Sequence, residues 1–129
     1  MDNKFFEKIR IFDGGMGQEL LSKGLISKGT LWSASALIEK EFHKLVIDAH
    51  ISYINAGADI IVTNNFSARK IRFIQNKVLD KFQYANEQAG ILANKAREIS
   101  KQNILIAGSL PSQSDTYVED ERSSSEIQS

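Results

Sequence analysis

The sequence predicts an α/β fold built on parallel strands, and three observations carry that prediction. Three short apolar runs, Ile9 to Phe12, Asp59 to Val62 and Ile104 to Ala107, each end in small or polar residues. All three are continuous rather than alternating, the pattern of strands covered on both faces. The intervals between them carry helix periodicity and are long enough for the crossovers that parallel neighbours need. Such a unit is either half of a doubly wound sheet or the opening of a (β/α)8 barrel. A whole barrel needs about 250 residues, and this chain has 129.

The helices follow in order. Met16 to Gly24 sets Met16, Leu20 and Leu21 among polar partners, with Gly24 as the stop. From Ser35 to Ala56, residues Leu37, Ile38, Phe42, Leu45, Val46, Ala49, Tyr53 and Ile54 recur at three- and four-residue steps. That spacing predicts one long amphipathic helix closed by Gly57. Tyr84 to Ser100 carries Ala85, Ala89, Leu92, Ala93, Ala96 and Ile99 on one stripe, a second such helix. Between them, Ala68 to Lys81 reads as a loop with short helical turns. Residues 119–129 are polar, yet Ser123 and Glu126 make a capping-box pattern ahead of Ile127, which predicts the start of an interrupted helix. Residues 1–129 thus read as one partial domain, without repeats or a long linker.

Composition narrows the function classes. The chain is 42% hydrophobic and 25% charged, an ordinary globular balance. Lys+Arg and Asp+Glu are equal at 16 each, so there is no electrostatic footprint for nucleic acid or an anionic membrane. The longest apolar runs are far too short to span a bilayer, and Met1-Asp2-Asn3-Lys4 lacks the layout of a secretory signal. With no cysteine, disulfides are excluded and any thiolate metal site must come from elsewhere. A cytoplasmic soluble protein is the expectation.

Two strand ends carry candidate chemistry. Asp13-Gly14-Gly15 places a carboxylate and close-approaching backbone at the end of the first run, the edge where α/β folds bind small molecules. Asp13 can receive an ammonium group or a cation; it can equally cap the following helix. Thr63-Asn64-Asn65-Phe66-Ser67, after the second run, offers neutral hydrogen-bonding side chains suited to a substrate carboxylate, with Phe66 as a wall. The same residues can serve as a βα loop that satisfies its own backbone. Gly108 to Tyr117 could close over a ligand or be an ordinary loop. His43 and His50 lie seven apart, a spacing that favours core or surface roles over metal ligation. Trp32 is expected to pack as a structural aromatic. Gly14, Gly15 and Gly17 do not make the dinucleotide fingerprint, and no P-loop lysine follows.

Four segments in order resemble the N-terminal part of the homocysteine S-methyltransferase family. They are Phe12 to Leu20, Leu31-Trp32-Ser33-Ala34, His50 to Ser67, and Ala107-Gly108-Ser109-Leu110-Pro111, reaching to about Tyr117. The resemblance implies the N-terminal portion of a (β/α)8 TIM barrel, about three parallel strands with helices, incomplete as given. It implies transfer of a methyl group to the thiol of homocysteine, giving methionine, with homocysteine and a small methyl donor as partners. In that family zinc held by three cysteine thiolates binds the substrate sulfur and makes a thiolate available at neutral pH. By the same resemblance Asp13 would hold the homocysteine ammonium group, while the Gly14 backbone and Thr63 would receive its carboxylate. Gly15, Asn65 and Phe66 are candidates for the pocket wall. The Leu-Trp-Ser-Ala element is closer to the branch using S-methylmethionine-type donors than to the betaine-dependent branch.

The chain departs from the family in one respect that matters chemically. The family's zinc cysteines lie on later strands, in part in a Gly-Gly-Cys-Cys element, and this sequence has no cysteine. A family glutamate that also contacts the amino acid falls beyond residue 129. The expectation is therefore a chain that supplies the amino-acid-binding part, holds no metal ligands and is inactive alone. Two other readings compete: a partial barrel that assembles with itself or a partner piece through open sheet edges, and an unrelated flavodoxin-like binding domain complete at 129 residues. So small a parallel sheet also predicts poor solubility or a molten state.

Overall fold

Ile60-Ile61-Val62 forms the centre of the sheet because its side chains are covered: Ile60 and Ile61 are 4% and 0% exposed. The computed structural model describes residues 3–27 and 29–111. Expectations for residues 119–129, and for the loop beyond Pro111, lie outside the described residues. Strand β1 (Ile60–Val62) pairs in parallel with β2 (Leu105–Ala107), in the register Ile60 to Leu105, Ile61 to Ile106 and Val62 to Ala107. The result is an α/β arrangement with a small parallel sheet.

The first apolar run departs from expectation. Residues 9–12 lie beside β1 but meet it in a single parallel bridge, Phe12 to Ile60, rather than as a regular strand. The Ile11 carbonyl accepts from Asp59 N and Ile60 N at 2.8 and 3.2 Å, and Asp13 N donates to the Ile60 carbonyl at 3.0 Å. Side chains take over at both ends of this ladder. The Ile11 N–H goes to Asp59 Oδ2 at 2.9 Å, and Val62 N goes to Asp13 Oδ2 at 3.0 Å. Two aspartates therefore replace backbone acceptors and keep the pairing short. Nor is this run buried on both faces: Ile9, Ile11 and Phe12 are 94%, 58% and 57% exposed.

Among the described residues, five α-helices flank these strands: α1 (Met16–Ser22), α2 (Ser35–Ile38), α3 (His43–Asn55), α4 (Lys70–Gln75) and α5 (Phe82–Ser100). Short 3-10 turns cover Asn3–Glu7, Trp32–Ala34, Lys40–Phe42 and Leu79–Lys81. The single helix expected over Ser35 to Ala56 is divided. Glu39 turns extended (φ −90°, ψ 112°), and the helix resumes at His43. The break strands a carbonyl, and His43 Nε2 donates to it, at Leu37 O, over 2.8 Å. Gly57, at φ +110°, supplies the left-handed backbone that ends α3.

Two clusters make the core. Helix meets helix through Leu20, Leu37, Val46, Phe73, Ala85, Ala89 and Leu92, and helix meets sheet through Ile54, Ala58, Ile61, Ala93 and Ile104. Alanines on α5 let α3 come close, which brings the β1 edge and its loop against the start of α5. The expected α5 stripe is buried except for Ile99, which is 61% exposed near the helix end. Among the described residues, no helix is long and apolar enough to cross a membrane.

Candidate functional site

Asp13 stands where the short ladder with β1 ends, and its side chain is committed to the sheet rather than to a helix. The residue that precedes α1 as its N-cap is Gly15, with no side-chain cap, so the capping reading of Asp13 does not hold. Burial pushes the Asp13 carboxyl above its ordinary pKa, and the N–H groups of Val62 and of Asp13 itself pull partly the other way. Among the described residues, no cationic side chain contributes to this shift. A half-buried carboxylate without a countercharge carries a desolvation cost that a ligand ammonium group would offset.

The glycines after it are held open from one side. A Cβ at Gly14 would lie 3.1 Å from the Tyr53 ring and from its hydroxyl, so any side chain here requires Tyr53 to shift by a few tenths of an ångström. Tyr53 in turn donates to the Gly15 carbonyl at 3.1 Å. Burial, then the charges of Glu19 and Asp13, raise the Tyr53 pKa, so the phenol remains a neutral donor. A Cβ at Gly15 would meet nothing within 4 Å.

Thr63 follows Val62, so the Asp13–Val62 hydrogen bond sets the carboxylate beside the Thr63 loop. The Thr63 hydroxyl donates to Asn65 Oδ1 at 2.7 Å and accepts the Ser109 N–H at 3.2 Å. Asn65 Nδ2 donates to Asn86 Oδ1 and to the Ser109 carbonyl, each at 3.2 Å. Asn86 is fixed by its own amide, which donates to Phe82 O at 2.9 Å and Ala68 O at 3.4 Å. One hydrogen-bonded chain thus ties the loop after β1, the loop after β2 and α5 together.

The other candidates serve the frame around that corner. Buried Asn64 donates to Ser33 O at 3.1 Å, and the Ser67 hydroxyl meets Ser33 Oγ and the Ala34 N–H. Phe66 is 51% exposed beside them. Trp32 is not packed as expected; it is 59% exposed with φ +53°, a backbone state that a bulky residue rarely holds. Sequence reasoning passed over Tyr53 and Asn86. Tyr53 was legible only as one more apolar position on α3. Asn86 left a faint signal, a polar amide on the inward side of α5.

The fold and this corner define a class: a parallel α/β protein that presents a carboxylate, without an ion pair among the described residues, next to neutral donors and acceptors. The model of the family described as homocysteine S-methyltransferase matches residues 10–129, and the chain belongs to that family. The homocysteine S-methyltransferase of Escherichia coli (strain K12) is 32% identical over 115 residues, 81% of this chain and 35% of that relative. Homocysteine S-methyltransferase 1 of Zea mays is 36% identical over 64 residues, 50% of this chain and 19% of the relative. Among solved structures, the metallated form of the E. coli homocysteine methyltransferase MmuM superposes with a TM-score of 0.72 at 28% identity, over 85% of this chain and 41% of that one. The chain therefore spans well under half the length of the proteins it matches.

That relative carries a metal, and the donor set among the described residues of this chain does not fit one. The sequence has no cysteine. Among the described residues, no group of three or more His, Cys, Asp or Glu could hold a metal ion. His43 Nε2 is engaged with a carbonyl, and His50 is fully buried in the helical core.

Proposed function

We propose that this chain is the N-terminal portion of a (β/α)8 barrel and binds the amino-acid end of homocysteine. The observation that carries the reading is the Asp13 carboxylate, desolvated without a countercharge beside Val62 and Thr63. Asp13 receives the ammonium group. The Gly14 backbone and the Thr63 hydroxyl receive the carboxylate, with Gly15, Asn65 and Phe66 around it. An acid meets a cation and neutral donors meet an anion, which is the pairing an α-amino acid requires.

The reading stops at binding. Methyl transfer needs the homocysteine thiol as thiolate, and the family resemblance assigns that activation to zinc held by cysteines that this chain lacks. The 129 residues alone are expected to transfer no methyl group. A second reading, a partial barrel that assembles with a partner piece, draws support from the exposed side chains of Ile9, Ile11 and Phe12 along the sheet edge.

Isothermal titration of the chain with L-homocysteine tests the proposal. Binding is expected, and Asp13→Asn, which keeps an acceptor for the Val62 N–H but removes the charge, should weaken it about tenfold or more, since charged hydrogen bonds contribute about 1.5–3 kcal/mol. Equal affinity of Asp13→Asn and wild type removes Asp13 from the site.

A further inference from the structure

The Thr63 hydroxyl has one hydrogen, and Asn65 already holds it. The Oδ1 of Asn65 is a carbonyl oxygen, so in the 2.7 Å contact Thr63 must be the donor. Its oxygen also accepts the Ser109 N–H. In this arrangement Thr63 has no hydrogen left for a substrate carboxylate. The acceptor that occupies it is firmly placed, because the Asn65 amide spends its own hydrogens on Asn86 Oδ1 and Ser109 O.

We infer that Asn65 sets the affinity of the site by competing with the substrate carboxylate for the Thr63 hydroxyl hydrogen. The inference rests on the homocysteine reading above. On binding, the hydroxyl rotates about its C–O bond while the Ser109 N–H keeps the oxygen in place. The Thr63–Asn65 hydrogen bond breaks and one to the carboxylate forms, with no proton transferred. A charged acceptor outbids a neutral one, since charge-assisted hydrogen bonds are about twice as strong. The substrate therefore binds, but less tightly than to a free hydroxyl, because Asn65 Oδ1 loses its partner. Asn86 acts one step further back, as the positioning residue that keeps Asn65 aimed at Thr63.

The sign of the effect separates this role from a merely structural one. Removing a supporting side chain ordinarily weakens binding. Here Asn65→Ala should tighten homocysteine binding about two- to tenfold, the worth of one neutral hydrogen bond. In a Thr63→Val background the same substitution should leave the Kd unchanged, because no hydroxyl remains to be released. Isothermal titration of wild type, Asn65→Ala, Thr63→Val and the double variant reads all four corners. Weaker or equal binding by Asn65→Ala, or tightening that persists in Thr63→Val, overturns the inference. If Asn65→Ala fails to melt cooperatively, Asn86→Ala reads the same release and should shift the Kd in the same direction; weaker or unchanged binding there overturns it equally. If neither wild type nor any variant binds homocysteine, the homocysteine reading itself falls, an outcome distinct from binding without the expected tightening.

Discussion

His50 shows what burial alone does to a titratable side chain. It is fully buried on α3, neither ring nitrogen has a hydrogen-bond partner among the described residues, and its pKa is lowered from 6.5 to about 4. Desolvation is the cause, because burial removes the hydration that stabilises an imidazolium. The unfolded chain takes up a proton near the ordinary value while the folded chain resists until about 4. The stability that depends on neutral His50 is therefore fully present above pH 6.5 and drains away as the pH falls toward 4, by up to about 1.4 kcal/mol per pH unit. Urea unfolding at pH 7, 6 and 5 should show this loss in the wild type. His50→Leu should flatten it, because an apolar side chain of similar size carries no proton. A variant as acid-sensitive as the wild type would place the liability elsewhere, with Asp13 excluded, since its raised pKa makes the folded state gain stability as it protonates.

At the scale of elements, the sequence was most legible where one segment answers its own pattern, and least where the answer depends on a neighbour. The apolar stripe of α5 is buried at Ala85, Ala89, Leu92, Ala93 and Ala96 because α3 packs along it. The apolar run Ile60-Ile61-Val62 is a strand because both its neighbours are in place. The run Ile9 to Phe12 has a neighbour on one side only among the described residues, and Ile9, Ile11 and Phe12 stay exposed. Periodicity across Ser35 to Ala56 was continuous, so it hid the break at Glu39, where the His43 ring takes up the Leu37 carbonyl six residues back. In the site, the placement of Asp13 next to Thr63 follows from strand order and was readable. The hydrogen-bond chain through Asn86 depends on α5 docking and was not. One element end is poorly matched to its residue: Lys101 closes α5 in the left-handed region at φ 56°, ψ 24°. A side chain there costs about 1–2 kcal/mol that glycine avoids, less glycine's own entropic cost. Lys101→Gly should raise the melting temperature, with a gain of up to about 1 kcal/mol in chemical unfolding; a loss would mean that the lysine stabilises the end in another way.

The described residues form a helical layer with a good core over a sheet three segments wide. Its outer segments are residues 9–13 on one side of β1 and β2 on the other, and neither has a further strand beside it among the described residues. Apolar side chains crowd these margins, with Ile9 94%, Ile11 58%, Phe12 57% and Leu110 98% exposed. Unpaired N–H and C=O groups beside apolar side chains form a template for another strand. In a purified sample of this chain the available strand is that of a second copy, so sedimentation velocity should show an average mass that grows with concentration. Ile9→Lys together with Ile11→Lys puts two charges on that margin, and both side chains are exposed, so the monomer's own core is left intact. The double variant should sediment nearer to the monomer at the same concentration and melt at nearly the same temperature as the dilute wild type. A wild type that stays monomeric at every concentration tested would show that this edge is closed to partners. Reduced association with a collapsed melting transition would show instead that Ile9 and Ile11 belong to the core.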